Sequence, residues 1–460
     1  MSNFTVYVRQ LIIYFLCVLA IFFVACQNNK QTKQSVTGPN SQNISNVKNN
    51  TSAIVQEKPS PFATLLLSQA RFTRQTDESG KSKPVPEPAS LLLLQKRGST
   101  WHSEMIVDPE SRVFHKAACI KFDNKSYVLT IGATKALAKL WHHDKHGAWV
   151  AETIWQGEFG GKWDRLRDFE IADVTHDDKD DLVIATHDQG VVAVLTHLEK
   201  APQGGKWHIA SGPDNDNKSW YMTEVYRKPE TFVHEVEIGD VDGDKIREFF
   251  VTPSTPNKVD AAQAGAILAF HRDTKKGFIV TTVARFKDAH VKEILVTDIL
   301  GRGRDSIYAA VEPARAHSDS STVDIYEYQR VDKKWRSKVI ARIKDAMQAR
   351  VLLAADLKHA NKNDLIVTTM KAGIWRLVAP IQADGKWETE CIDADSSGFE
   401  HAANVADIDN DGTVELYVSA DDQNVVRQYK WDGNNWQRET IYNMAPSDIT
   451  WNIEFCSQIP

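Results

Sequence analysis

Two sets of side chains in this sequence have the types and the spacing for chemistry, and the first is acidic. Asp407, Asp409 and Asp411 followed by Glu415, and Asp240, Asp242 and Asp244 followed by Glu248, put carboxylates at positions 1, 3, 5 and 9 of a short loop. Oxygen donors alternating along one turn suit a hard cation such as calcium. An EF-hand would need a bidentate Glu at the twelfth position, which is Val418 in one copy and Val251 in the other, so that loop is excluded. A third copy, Asp173, Asp177 and Asp181, carries Thr175 where the second acid should be. Two further copies, beginning at Asp298 and Asp356, lose the interior acids, and the metal reading does not extend to them. Asp, Asn and Gly can also close such turns with no ion, by bonding their own backbone. The strong copies therefore hold structural calcium or are metal-free turns.

The second set is basic. Counting from the first Asp of each turn, the residue six places earlier is Arg167, His234, Lys292, Arg350 or His401, and His115 takes the equivalent place ahead of a strand with no acidic turn. Asp168, Glu235, Glu293 and Glu400 lie beside several of them. Such a column either closes a structure with ion pairs or forms an anion site, in which Arg167 and Arg350 engage a carboxylate or sulfate bidentately. The imidazoles add bases or ligands. The sequence shows no Gly-rich phosphate loop, Ser nucleophile elbow or paired Cys ligands, so binding is expected ahead of catalysis.

The elements that position both sets are strands. Each acidic turn runs into a β-branched and aromatic segment such as Leu416-Tyr417-Val418 or Phe249-Phe250-Val251. The first Asp recurs at 173, 240, 298, 356 and 407, at spacings of 67, 58, 58 and 51 residues, which is the period of a four-stranded propeller blade. Acids at 1, 3, 5 and 9 between two strands resemble the FG-GAP/VCBS repeat, the blade unit of the integrin-alpha type of β-propeller, over about residues 110–445. A degenerate blade without the acids begins at Phe114 and continues through Tyr127, Ala136 and Trp149. Ahead of it Leu91–Arg97 and Met105–Val107 read as a third and fourth strand, and Ile449–Phe455 reads as a lone first strand. The expected fold is all-β, a seven-bladed β-propeller over residues 88–460 with the last blade closed by both chain ends. Residues 61–87 cover the ring or supply the missing second strand. Residues 199–230, with Trp207, Trp220, Tyr221 and Tyr226, are expected outside the blades, their aromatics either a contact surface or packed on the scaffold. The basic column precedes the innermost strands and the acidic turns follow them, so the two sets belong on opposite faces of the ring, and calcium would be structural.

The 460 residues are 42% apolar and 25% charged with a formal charge of -6, ordinary globular material with no general attraction for nucleic acid. Arg9 precedes an apolar run from Leu11 to Ala25, the length of a secretory h-region, so residues 1–25 read as a signal peptide. Val24-Ala25-Cys26 resembles the lipobox of bacterial lipoproteins, with Phe23 where that family usually has Leu. The resemblance implies a lipid on Cys26; the competing reading is an uncleaved signal anchor. Residues 26–60, rich in Asn, Gln, Ser and Lys, read as a flexible tether. Cys119, Cys391 and Cys456 are too few and too scattered for a disulfide framework, and Cys119 can meet Cys456 only if the ring closes first blade to last. These features imply a bacterial envelope protein, at the periplasmic face or the cell surface. Its expected partners are the membrane, through the lipid, and an anionic glycan or envelope protein at the channel mouth. Propeller-fold polysaccharide lyases and sugar dehydratases use His with Arg or a metal at that place, so the alternative is such an enzyme acting on acidic sugars.

Overall fold

Leu91–Leu94, Leu182–Ala185, Phe249–Val251 and Leu365–Val367 are apolar at every position, so a strand made from any of them needs cover on both faces. The computed structural model describes residues 63–76, 80, 82–122, 125–160, 164–202, 206–214, 216–256, 262–313 and 321–459. In it each of these runs is an internal strand of an antiparallel sheet. Seven such sheets form a β-propeller. Blades 1 to 6 occupy residues 113–157, 166–227, 232–285, 289–344, 348–393 and 403–443, each beginning with its innermost strand. The expected signal peptide, Cys26 and the tether lie outside the described residues.

Blade 7 is assembled from distant parts of the chain. Its inner strand, Asp448–Cys456, pairs with Thr64–Thr76 from Thr64 opposite Cys456 to Arg71 opposite Asp448. Ala89–Arg97 and Thr100–Asp108 complete the sheet, and Ser82–Pro86 folds back on the far end of Thr64–Thr76. Of the 61–87 stretch, Thr64–Thr76 thus supplies a strand of the ring.

Residues 199–230 depart from the expectation. Part of this span belongs to a blade: Ser219–Arg227 is the outer strand of blade 2, and His208–Ser211 adds a fifth strand beyond it. Trp220, 2% exposed, meets Phe122 of blade 1 edge-on at 5.0 Å. The aromatics that suggested a contact surface include core residues of the interface between blades.

The apolar core is divided among the interfaces. Leu129 and Ile131 of blade 1 pack with Leu182 and Ile184 of blade 2, and Val183 of blade 2 faces Phe249 and Val251 of blade 3. The alternation continues through blades 4, 5 and 6. Leu65 and Leu67 then turn toward Tyr417 of blade 6, while Leu66 turns toward Phe114 of blade 1. Burying one such Leu or Phe is worth roughly 1.5–3 kcal/mol. The last interface also carries a covalent link, a disulfide between Cys119 in the inner strand of blade 1 and Cys456 in that of blade 7, across 337 residues. We expect Cys119→Ser to lower the unfolding free energy by about 2–5 kcal/mol. Urea unfolding of the variant against the parent measures this; equal midpoints would show that the bond contributes nothing to the closed ring.

Candidate functional site

An inner strand starts close to the propeller axis, and at that level an extra residue interrupts the pairing in six of the seven blades. Opposite the second strand, His115 is skipped in blade 1, Arg167 in blade 2, Arg350 in blade 5 and Trp451 in blade 7. In blades 3 and 4 the pairs His234-Glu235 and Lys292-Glu293 stand opposite one residue. These are β-bulges, which bend the strand and re-aim a side chain. Blade 6 uses another device: its inner strand begins only at Ala403, and His401 just before it adopts a φ of 46°.

The bulges bring Arg167, Lys292 and Arg350 together at the channel mouth, although they come from blades 2, 4 and 5. Lys292 lies in the electrostatic field of both guanidinium groups, and Arg167 in that of Glu400, Glu293, Glu235 and Asp168. The Arg350 guanidinium is 3.6 Å from Glu400 and 5.2 Å from the centre of the Phe399 ring. The Arg167 guanidinium is 5.6 Å from the Trp451 ring centre, and Phe399 meets Trp451 edge-on at 6.4 Å. Among the described residues neither the Arg167 side chain nor Lys292 Nζ has a hydrogen-bond acceptor, and Arg350 Nε is buried without one. Three cations therefore converge, and one of their donors, Arg350 Nε, is buried without a partner.

The histidines are placed differently. His115 is 3% exposed, its Nδ1 2.5 Å from the Leu166 carbonyl and its ring edge-on to Trp451 at 4.7 Å. His401 is fully buried, with Nδ1 at 2.8 Å from the Thr369 carbonyl and Nε2 at 2.8 Å from the Ser396 hydroxyl. Both rings serve the packing between blades, and in blade 6 Glu400 takes the place at the mouth. His234 is buried beside His187, at 5.2 Å, with Nε2 lacking a partner among the described residues. Burial, and then the nearby Lys292 and Arg167, hold His234 well below the usual imidazole range, so it is neutral. Burial and the Arg350 charge bring Lys292 down to about 8.

Below the mouth is a layer that the basic column did not reveal. Lys116 bridges blades 1 and 2 through Asp168 at 2.9 Å and Glu170 at 2.7 Å, and Glu235, Glu237 and Glu454 lie in its field. Burial pushes the Glu235 and Glu237 carboxyls well above the ordinary range, since one ammonium cannot compensate so many enclosed charges. Period-two acids on inner strands, Asp168 with Glu170 and Glu235 with Glu237, were the available signal.

The acidic turns lie at the opposite ends of the inner strands. In all five, the first Asp accepts backbone N–H groups of its own turn: Asp407 from Asp411 and Gly412 at 3.0 and 2.9 Å, Asp240 from Gly243 and Lys245 at 2.7 and 2.8 Å. Asp173, Asp298 and Asp356 do likewise. Among the described residues two groups, Asp240-Asp242-Asp244 and Asp407-Asp409-Asp411, bring their carboxylates within 4.8 Å of one another, and this donor set fits calcium. In blade 6 ammonium groups already occupy the acids, Lys430 at 2.9 Å from both Asp411 and Glu415 and Lys96 at 2.9 Å from Asp409. In blade 3 Arg330 stands farther off, 3.6 Å from Asp242 and 3.5 Å from Glu248. Asp173, Asp177 and Asp181 form no such group among the described residues; Asp181, 1% exposed, accepts N–H groups of Val174 and Thr175.

No protein-family model matches this chain, and no curated protein matches it in sequence. A solved structure similar to it is that of the periplasmic gluconolactonase PpgL of Pseudomonas aeruginosa, at 12% identity and a TM-score of 0.47, covering 86% of this chain and 100% of that one.

Burial also raises Asp181, Glu248, Asp421 and Glu454 to about 7. These groups keep a proton in the folded chain where the unfolded chain has lost it, so their stabilisation is complete below the ordinary carboxyl range and disappears as pH rises through about 7. The depressed imidazoles oppose this only below their ordinary value of about 6.5, and Lys292 only above about 8. We therefore expect the urea midpoint to fall between pH 6.5 and 8. A midpoint that rises across that interval would show these carboxyls to be ionised in the fold.

Proposed function

We propose that this protein is a ligand-binding propeller of the FG-GAP/VCBS type, tethered to a bacterial envelope membrane through a lipid on Cys26, that binds an anionic carbohydrate or protein partner at the channel mouth. The observation that carries the binding reading is the convergence of Arg167, Lys292 and Arg350, with Arg350 Nε buried and unpartnered. Buried N–H groups are costly to leave unpaired, and charge-assisted bonds to an anion are the strong way to satisfy them. Placement in the envelope is supported by the Cys119–Cys456 disulfide, since such bonds persist in oxidising compartments. The repeat type is supported by five turns closed by the same Asp.

A second reading is favoured by Lys292 and His234. An amine near 8 and a neutral imidazole beside two guanidinium groups are the parts for removing a proton next to a neutralised carboxylate, as a lyase or dehydratase of acidic sugars does. Ultraviolet absorbance of an unsaturated product after incubation with a uronate polymer separates this reading from binding alone.

Titration calorimetry with an acidic glycan tests the site. The pair Arg167→Ala and Lys292→Ala should weaken binding by about a hundredfold or more, because each removes a charge-assisted hydrogen bond worth about 1.5–3 kcal/mol and about 1.4 kcal/mol is tenfold. The melting temperature should stay nearly unchanged, since neither side chain bonds a protein acceptor among the described residues. Undiminished binding with a lower melting temperature would assign the cations to closing the ring. We also propose calcium as a structural ion at Asp240, Asp242 and Asp244. Calcium should raise the melting temperature and a chelator lower it, and Asp242→Asn should remove the difference; no response in the parent protein would take calcium out of this reading.

A further inference from the structure

The mouth holds more than cations, and its other groups narrow the ligand. Phe399 is 44% exposed although it lies against both Trp451 and the Arg350 guanidinium. An aromatic face left open beside Arg350 offers apolar area to the C–H face of a sugar ring as well as attraction for positive charge. Glu400 is the complementary part. It stands 3.6 Å from Arg350, too far for a short bidentate pair, and a carboxylate there accepts hydrogen bonds from hydroxyl groups. Arg350 itself is only 8% exposed, with Nε unpartnered and buried. An anion reaches it only by entering the mouth. A residue lying across the face of the ring would hold its charge too high.

The depth of entry is also set. One layer down, the Lys116 ammonium lies in the fields of carboxylates from blades 2, 3 and 7, so charged side chains from four blades meet there. A ligand carboxylate carried farther in would meet like charge rather than a free cation. A peptide end would satisfy the guanidinium groups but brings no set of hydroxyls for Glu400 and no flat C–H face for Phe399.

We infer that the mouth receives the end of an acidic sugar chain, one uronic-acid residue deep, with its carboxylate between Arg167 and Arg350, its ring on Phe399 and Trp451, and its hydroxyls toward Glu400 and Lys292. This rests on the anion-binding reading above and goes further, by fixing the class of ligand and its mode of entry.

The test is calorimetry on the intact protein with glucuronate, glucose, a linear hexauronate, a cyclodextrin oxidised to its uronate, an acidic peptide and sulfate. Glucuronate and the hexauronate should bind one to one with affinities within about threefold of each other, because only the end residue is held. Glucose and the cyclic uronate, which has charge but no end, should not bind. In Phe399→Ala, at an exposed position, glucuronate should weaken by about tenfold with sulfate unchanged, the worth of one aromatic platform. A cyclic uronate binding as well as the linear one, or affinity climbing steeply with length, would overturn end-on entry. A peptide preferred over glucuronate would overturn the sugar assignment. Sulfate and peptide bound with no uronate would leave the anion site standing and this inference wrong, whereas no anion bound at all would remove both.

Discussion

Every blade of this ring is covered on both faces by its neighbours, and the apolar layers lie between blades rather than within them. That constraint governs the rest. A second strand such as Leu182–Ala185 sends alternate side chains to two different interfaces, so its two faces are solvated in neither direction only when both neighbouring blades are present. The burial is therefore collective, and a missing blade would expose two apolar faces at once. This is why the pairing of Asp448–Cys456 with Thr64–Thr76 matters out of proportion to its length: it completes the one blade whose strands are far apart in the chain.

Closing the ring also determines the electrostatics at its centre. Seven inner strands crowd toward one axis, and their polar side chains have little water to share. The conflict is resolved unequally. Guanidinium groups keep their charge, whereas Glu235 and Glu237 hold protons more firmly than usual and His234 gives its proton up. The mouth is consequently more positive than the nearly balanced count of its acids and bases suggests. A ligand carboxylate entering it would replace a counter-charge that the neighbouring carboxyls do not fully supply.

The parts of the fold that could be read from the sequence are those in which one residue does a local job. The first Asp of each turn bonds N–H groups of its own turn, four and five residues ahead in four turns and four and six ahead at Asp356, so it recurs wherever the turn recurs, with or without the interior acids. Its regular return is what revealed the blades. The column of bases was visible for the same reason, being a fixed distance from that Asp. What decides its use was not visible. A β-bulge is a matter of register between two strands, and the skipped residues His115, Arg167 and Trp451 share no side-chain type. Trp451 sits at the same level as Arg167 and was missed because it is not basic. His401 was included because it is basic, yet its backbone turns the ring away and presents Glu400. In residues 199–230 a polar, Pro-containing composition masked an outer strand whose buried members, Trp220 and Tyr221, read equally well as surface.

The disulfide between Cys119 and Cys456 joins the inner strands of two adjoining blades that are among the earliest and the latest parts of the ring to be synthesised. Until Asp448–Cys456 has been made, Thr64–Thr76 has no partner along one of its edges, and the apolar face of blade 1 that will meet Leu66 is uncovered. A ribosome working from one end thus produces a wheel that cannot be locked until nearly all of it has emerged. The first edge therefore stays open to other strands until a segment 337 residues away has arrived to cover it.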